Sequence, residues 1–197
     1  MFVLWQLPAH AQLLDRVVAR VGGAAITQTD VDAAVGLGVI EADGAGGASA
    51  TQQMIDRRIL LAEVARFPPA DPPDSAIAEL TATMKARAGA GYDALLKRTG
   101  LDDQRVGELA RDTLRIQAYI DQRFGTSAQA SAQEAREYYD THRDEFTRNG
   151  ALAPFESVEA AARQAASATR RRAAVAQWLQ GLRARSDVVV TSRPSPP

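Results

Sequence analysis

The chain has 197 residues, 46% of them hydrophobic and 24% charged, and its 23 Lys and Arg against 24 Asp and Glu leave a net charge of −1. That balance carries no basic excess to hold nucleic acid or an anionic membrane surface, and the length is enough for one domain or two small lobes with a core. With no cysteine and two histidines, His10 and His142, disulfides, thiolate metal sites and cysteine-based catalysis are excluded.

Residues Met1 to Leu7 form an apolar run, and Pro8-Ala9-His10-Ala11 offers an A-x-A cleavage pattern before Gln12. Residues 1–11 therefore read as the remnant of an export signal, which places the mature protein outside the cytoplasm. No Lys or Arg precedes the run, and it is short for a complete signal, so an amphipathic arm of the mature chain is the other reading. No other apolar stretch approaches the ~20 residues that span a bilayer.

Arg16 to Val21 and Ala24 to Ile26 read as two strands joined by Gly22-Gly23, a pair suited to a tight hairpin turn. Thr27 with Asp30 resembles a capping box opening a helix over 28–35. The loop ADGAGGAS follows, and Ser49 with Gln52 starts a second helix, with Met54, Ile55, Ile59, Leu61, Ala62 and Ala65 at helical spacing. Pro68-Pro69 stops it. Ile77, Leu80, Met84 and Ala88 mark a third helix ending at Gly89, and 92–98 a short fourth ending at Gly100.

Asp102 caps a long helix carrying Val106, Leu109, Thr113, Ile116, Ile120 and Phe124, closed by Gly125. Ser131 with Glu134 is another capping box, with a helix expected to about Glu145. The longest helix runs from Phe155 to about Ala184, roughly 45 Å. It is rich in alanine and must lie along other helices to be stable. Val188 to Thr191 reads as a strand and 193–197 as a loose tail. A lone C-terminal strand leaves backbone groups unpaired, and the N-terminal hairpin is its natural partner. The fold class is thus mainly α, with a small sheet joining the two chain ends. A second chain could supply the partner strand instead, giving a homodimer.

This layout resembles the SurA family of periplasmic folding chaperones, which includes parvulin-type prolyl isomerases. LLDRVVARVGGAAITQTDVD is similar to the family's strand–hairpin–helix opening, and QQMIDRRILLAEVAR to its next helix. SAQEAREYYDTHRDEF is similar to the helix before the isomerase domain, with Tyr138, Tyr139 and Phe146 in matching places. The last helix, with Trp178-Leu179 and Leu182-Arg183, resembles the element that rejoins the chaperone domain. The resemblance implies a SurA-like, trigger-factor-like peptide-binding domain over 12–192, built from an N-terminal part, 12–146, and a C-terminal helix and strand, 154–192. Only seven residues, TRNGALA, separate Phe146 from Pro154, too few for an isomerase domain, since a domain takes ~50 residues or more.

Catalytic chemistry is not apparent. His142 lies on the charge-rich stretch THRDEF and reads as an exposed helix residue. Asp71, Asp74, Asp102 and Asp103 read as helix starts rather than metal ligands. The glycine-rich loop at 44–49 has no lysine after it, so it is no phosphate-binding loop. Arg170-Arg171-Arg172 fan around a helix as solvated surface. No catalytic residue, metal site or cofactor is expected.

The large adaptable side chains from which a peptide-binding cradle could be built are Met54, Met84, Tyr92, Leu95, Tyr119, Phe124, Tyr139 and Trp178. The expected partners are unfolded or extended polypeptides, and the resemblance adds outer-membrane β-barrel precursors in the periplasm. A partner-specific module of an envelope assembly complex is the alternative.

Overall fold

The structure, a computed structural model, describes residues 15–42, 49–125 and 129–191. The signal-like segment 1–11, the tail 193–197 and most of the glycine-rich loop lie outside the described residues.

The described residues open with an antiparallel hairpin, β1 (Val17–Val21) and β2 (Ala24–Thr27). Gly22 and Gly23 make the turn at φ +55° and +82°, angles that suit a primed hairpin turn and are costly for residues with a Cβ. The capping box at Thr27 forms: its hydroxyl accepts from the Asp30 N–H, and the Asp30 carboxylate accepts from the Thr27 N–H. Helix α1 (Gln28–Gly36) follows directly from the strand. Ser49 caps α2 (Ala50–Arg66). Its box is only half made, because the Gln52 amide donates to Asp56 at 3.1 Å instead of reaching back to the cap.

Helices α3 (Asp74–Ala88), α4 (Tyr92–Thr99) and α5 (Asp103–Phe124) come next, and Asp102 caps the last of these through the Arg105 N–H. Helix α6 (Ala132–Thr141) opens with the Ser131–Glu134 capping box, and α7 (Phe155–Arg183) is the longest. Helix α6 stops short of the expected Glu145. The Thr141 hydroxyl takes the Glu137 and Tyr138 carbonyls, and the chain leaves helical geometry at His142 before a 3-10 turn over Arg143–Phe146. Side-chain hydroxyls that compete for helix carbonyls favour such an end. Between that turn and α7 lies a two-rung hairpin, β3 (Thr147–Arg148) and β4 (Ala151–Leu152), turned by Asn149-Gly150. The sequence reading places no strand between Phe146 and Pro154.

Strand β5 (Val188–Val190) pairs antiparallel with β1, giving the order β2-β1-β5. Bonds from the Gly22 N–H to the Asp187 carbonyl and from the Thr191 N–H to the Val18 carbonyl flank the pairing, both at 2.9 Å. The two chain ends therefore meet in one sheet within one chain, and the molecule is mainly α with a small three-stranded sheet.

Among the described residues, four packed cores organise the helices. The first joins the buried sheet face (Val18, Ala19, Val21, Ile26) to Ile55 and Ile59 of α2 and Leu182 of α7. Beside it, Val64, Ile116 and Tyr119 close α2 on α5. A third gathers Met84, Leu95, Val106 and Ala110 around Leu37 at the end of α1. The fourth is a satellite of Ala135, Tyr139, Phe146 and Ala162. Fully buried Ala135 and Ala162 let α6 approach the first turns of α7 closely, so a helix that buries little area per residue is held at its start. Helix α7, roughly 44 Å long at 1.5 Å per residue, thus ties the satellite at its start to the terminal sheet at its end.

Candidate functional site

A cleft of about 860 Å³ lies where α2, α5, α7 and the β1–β2 turn converge. Helix α2 supplies one wall through Arg58, Leu61, Ala62, Glu63 and Arg66, with Phe67 at its end. Arg58, Ala62 and Arg66 are four residues apart, so they stand one above another on one helical face. Tyr119 and Arg123 come from α5, and Trp178 and Leu182 from α7. Arg185, Ser186 and Asp187, between α7 and β5, close the far side. A second hollow of about 530 Å³ shares Arg66, Phe67, Tyr119 and Arg123, so Phe67 stands between the two.

Local sequence explains why Phe67 is out in the open. It caps α2 at φ −134°, beyond the helical turn, and Pro68-Pro69 prevents the helix from continuing. Phe67 remains 64% exposed at the edge of the cleft. The floor behind it is aromatic: Trp178 stacks on Tyr119 with centroids 5.8 Å apart and meets Phe124 at 5.5 Å. The Arg123 guanidinium lies 5.1 Å above the Trp178 ring, a distance at which a cation is attracted by the ring face.

The eight side chains singled out from the sequence do not converge on one surface. Tyr119 and Trp178 line the cleft, and Phe124 packs against Trp178 behind it. Met84 and Leu95 are buried in the α3–α4–α5 core, with Tyr92 packed on its edge. Met54 packs against the sheet core, and Tyr139 is buried in the satellite, its hydroxyl donating to the Ala153 carbonyl at 2.6 Å. Met84, Leu95 and Tyr139 are buried core residues that do not line the cleft, whereas Tyr119, as buried as Tyr139, lines it from within its own core. Sequence pattern does not single out Phe67 or the arginines around it. The i, i+4, i+8 spacing of Arg58, Ala62 and Arg66 is visible in the chain, but it reads as a solvated helix face until the crossing helices are known.

The ionisable groups elsewhere have local explanations. His142 is exposed and stacks on Tyr138 with ring centroids 4.0 Å apart. Arg170 pairs with Glu134 and Arg171 with Asp121, while Arg172 donates to Thr169. Burial, and then a hydrogen bond to Asp103, pushes the Tyr92 phenol up to about 12. Asp103 in turn is held below the usual carboxylate range by Lys85 and then by Tyr92. Burial pulls Arg57 down from its ordinary value against the opposing charge of Asp112, and it donates to the Leu109 carbonyl across α2 and α5 at 3.1 Å. These are ties between helices. Among the described residues no group of three or more His, Asp or Glu side chains is placed to hold a metal ion, and no helix is long and apolar enough to cross a membrane.

No family model matches the chain, and no curated protein or solved structure does either.

Proposed function

We propose that the chain is an ATP-independent holding chaperone that binds apolar segments of unfolded exported polypeptides, without prolyl isomerase activity and without a cofactor. The observation that carries the reading is the cleft around Phe67: an aromatic floor, an exposed phenyl ring at its mouth and a charged rim. Such a surface shields apolar client segments while its rim stays hydrated, and lowers the concentration of free aggregation-prone chain. Ordering a disordered client costs entropy, so affinity is modest and release needs no energy source.

The element order also supports the reading. A terminal hairpin, helices, a long returning helix and a C-terminal strand resemble the chaperone part of the SurA family, with the Asn149-Gly150 hairpin where that family carries its isomerase. On that resemblance the setting is the periplasm and the clients include outer-membrane β-barrel precursors.

The test is light scattering after dilution of a urea-unfolded outer-membrane β-barrel, with and without an equimolar amount of this protein and no ATP. Suppressed scattering, weakened by Phe67→Ser, is the expected result. Unchanged scattering overturns the reading. A second reading, a partner-specific module of an envelope assembly complex, draws on Val189 and Val190, which stay 54% and 57% exposed on β5. One tight partner in a pull-down, with no affinity for unfolded chains, would favour it.

A further inference from the structure

We infer that the cleft selects acidic client segments, an extended stretch in which apolar side chains are flanked by Asp or Glu, an inference that rests on the holding reading above. Four arginines, Arg58, Arg66, Arg123 and Arg185, face the cleft against two carboxylates, Glu63 and Asp187, in a chain whose net charge is −1. Only Arg66 is neutralised locally, by Glu63 at 3.4 Å, and its side chain is 73% exposed. Among the described residues no carboxylate lies within ion-pairing distance of Arg58, Arg123 or Arg185.

What those three do instead leaves donors free. Arg58 makes one bond to the Ala25 carbonyl at 3.4 Å, and Arg185 one to the Gly181 carbonyl at 3.1 Å. Arg123 lies over Trp178. A guanidinium has five N–H donors in a fork that matches a carboxylate, so each can take an incoming carboxylate without giving up its present contact. The cations ring an apolar floor on three sides. Apolar client side chains fit that floor, and acidic neighbours along the same peptide reach the rim. A basic client meets like charge there, and like charges in juxtaposition are strongly disfavoured at an interface. The cleft volume is within the range of roughly 300–1,000 Å³ usual for ligand sites, enough for a few side chains.

The experiment uses three dye-labelled ten-residue peptides with the same alternating Leu and Phe positions, separated by Glu, by Lys or by Ser. Anisotropy is read with the full chain at low and high salt. The Glu peptide is expected to bind roughly tenfold more tightly than the Lys peptide, and the gap is expected to close at about 0.5 M salt, where the screening length falls to a few ångströms. The double variants Arg58→Gln/Arg185→Gln and Arg123→Gln/Arg185→Gln, checked by circular dichroism, are expected to lose the discrimination while keeping the Ser-peptide affinity. The first pair leaves the Trp178 cover intact, so loss of fold in the second does not hide the answer.

Equal binding of all three peptides overturns the charge inference and leaves the holding reading standing. No peptide binding while β-barrel aggregation is still suppressed overturns the site. Failure of both assays overturns the two together. Self-association that Phe67→Ser abolishes puts a second copy of the chain in the cleft and also overturns the proposal.

Discussion

The guanidinium of Arg183 grips the carboxylate of Asp56 through two parallel hydrogen bonds, joining the last residue of α7 to the middle of α2 across 127 positions of sequence. The Asp56 side chain is only 14% exposed, so this fork is not an ordinary surface pair. It fixes where α7 ends, and with it where β5 starts and where the far wall of the cleft stands.

Asp56→Ala is therefore expected to cost about 1–3 kcal/mol, because it leaves a charged guanidinium partly desolvated and unpaired. A double-mutant cycle with Arg183→Ala in urea unfolding should give a coupling above the ~1 kcal/mol ceiling of exposed pairs. A coupling near zero would show that the fork contributes geometry and no stability.

Two glycines in helices are expected to respond in opposite directions to alanine. A Cβ at Gly36 would stand 2.7 Å from a methyl of Leu95, which is itself buried where α1 crosses α4. Gly36→Ala should destabilise by about 1–3 kcal/mol through overpacking. At Gly107, inside α5, a Cβ would meet nothing within 4 Å. There Gly107→Ala should stabilise by about 0.5–1 kcal/mol, since alanine loses less backbone freedom in a helix. Urea midpoints moving in the same direction for both would overturn this account.

Glu134 provides a pH test. The Ser131 backbone N–H, then the Ser131 hydroxyl and the charge of Arg170, hold its carboxyl below the usual glutamate range. A depressed carboxyl contributes stability above its unfolded value, near 4.3, and loses that contribution as the pH falls through the folded value. The sign is thus acid lability of the start of α6. Carboxyl titration by NMR should place Glu134 below ordinary glutamate, and Arg170→Gln should raise it only part of the way, since the serine bonds are the larger cause. A full return to the ordinary range in Arg170→Gln would reverse that ranking.

Much of this fold is written in short-range signals. Thr27 with Asp30 and Ser131 with Glu134 close as capping boxes, and Gly22-Gly23, Gly89 and Gly100 mark where the chain turns or a helix stops. The terminal sheet was legible because the strand read at Val188 to Thr191 had one partner within the chain, the N-terminal hairpin, with a second chain as the alternative. The cleft was not legible, for a physical reason. Arg66 and Arg123 occupy charged positions that satisfy helix periodicity as solvated surface, and Arg185 lies past the end of α7. Only the crossing of α2 by α5 and α7 brings them around Phe67. Size and adaptability make Met84, Leu95 and Tyr139 candidates for a cradle, yet a large apolar side chain packs into a core as readily as it lines a surface, and the sequence does not say which.

The Asn149-Gly150 hairpin should accept a folded insert. Thr147, Arg148 and Ala151 are exposed, and Asn149 and Gly150 turn the chain at φ +52° and +78° without contact to a core. The satellite is held one step further in, where the Ala153 N–H donates to the Phe146 carbonyl at 3.1 Å and the Ala153 carbonyl accepts from Tyr139. A compact domain of roughly 100 residues with neighbouring termini, inserted between Asn149 and Gly150 on Gly-Ser linkers, should shift the melting temperature by no more than about 3 °C. The same insert between Ala153 and Pro154 separates those two hydrogen bonds from the start of α7, and should melt the packing of Tyr139, Phe146 and Phe155, read as loss of protection from hydrogen exchange in α6. Equal tolerance at both positions would mean that the satellite does not depend on Ala153. Equal damage would mean that the hairpin is part of the core.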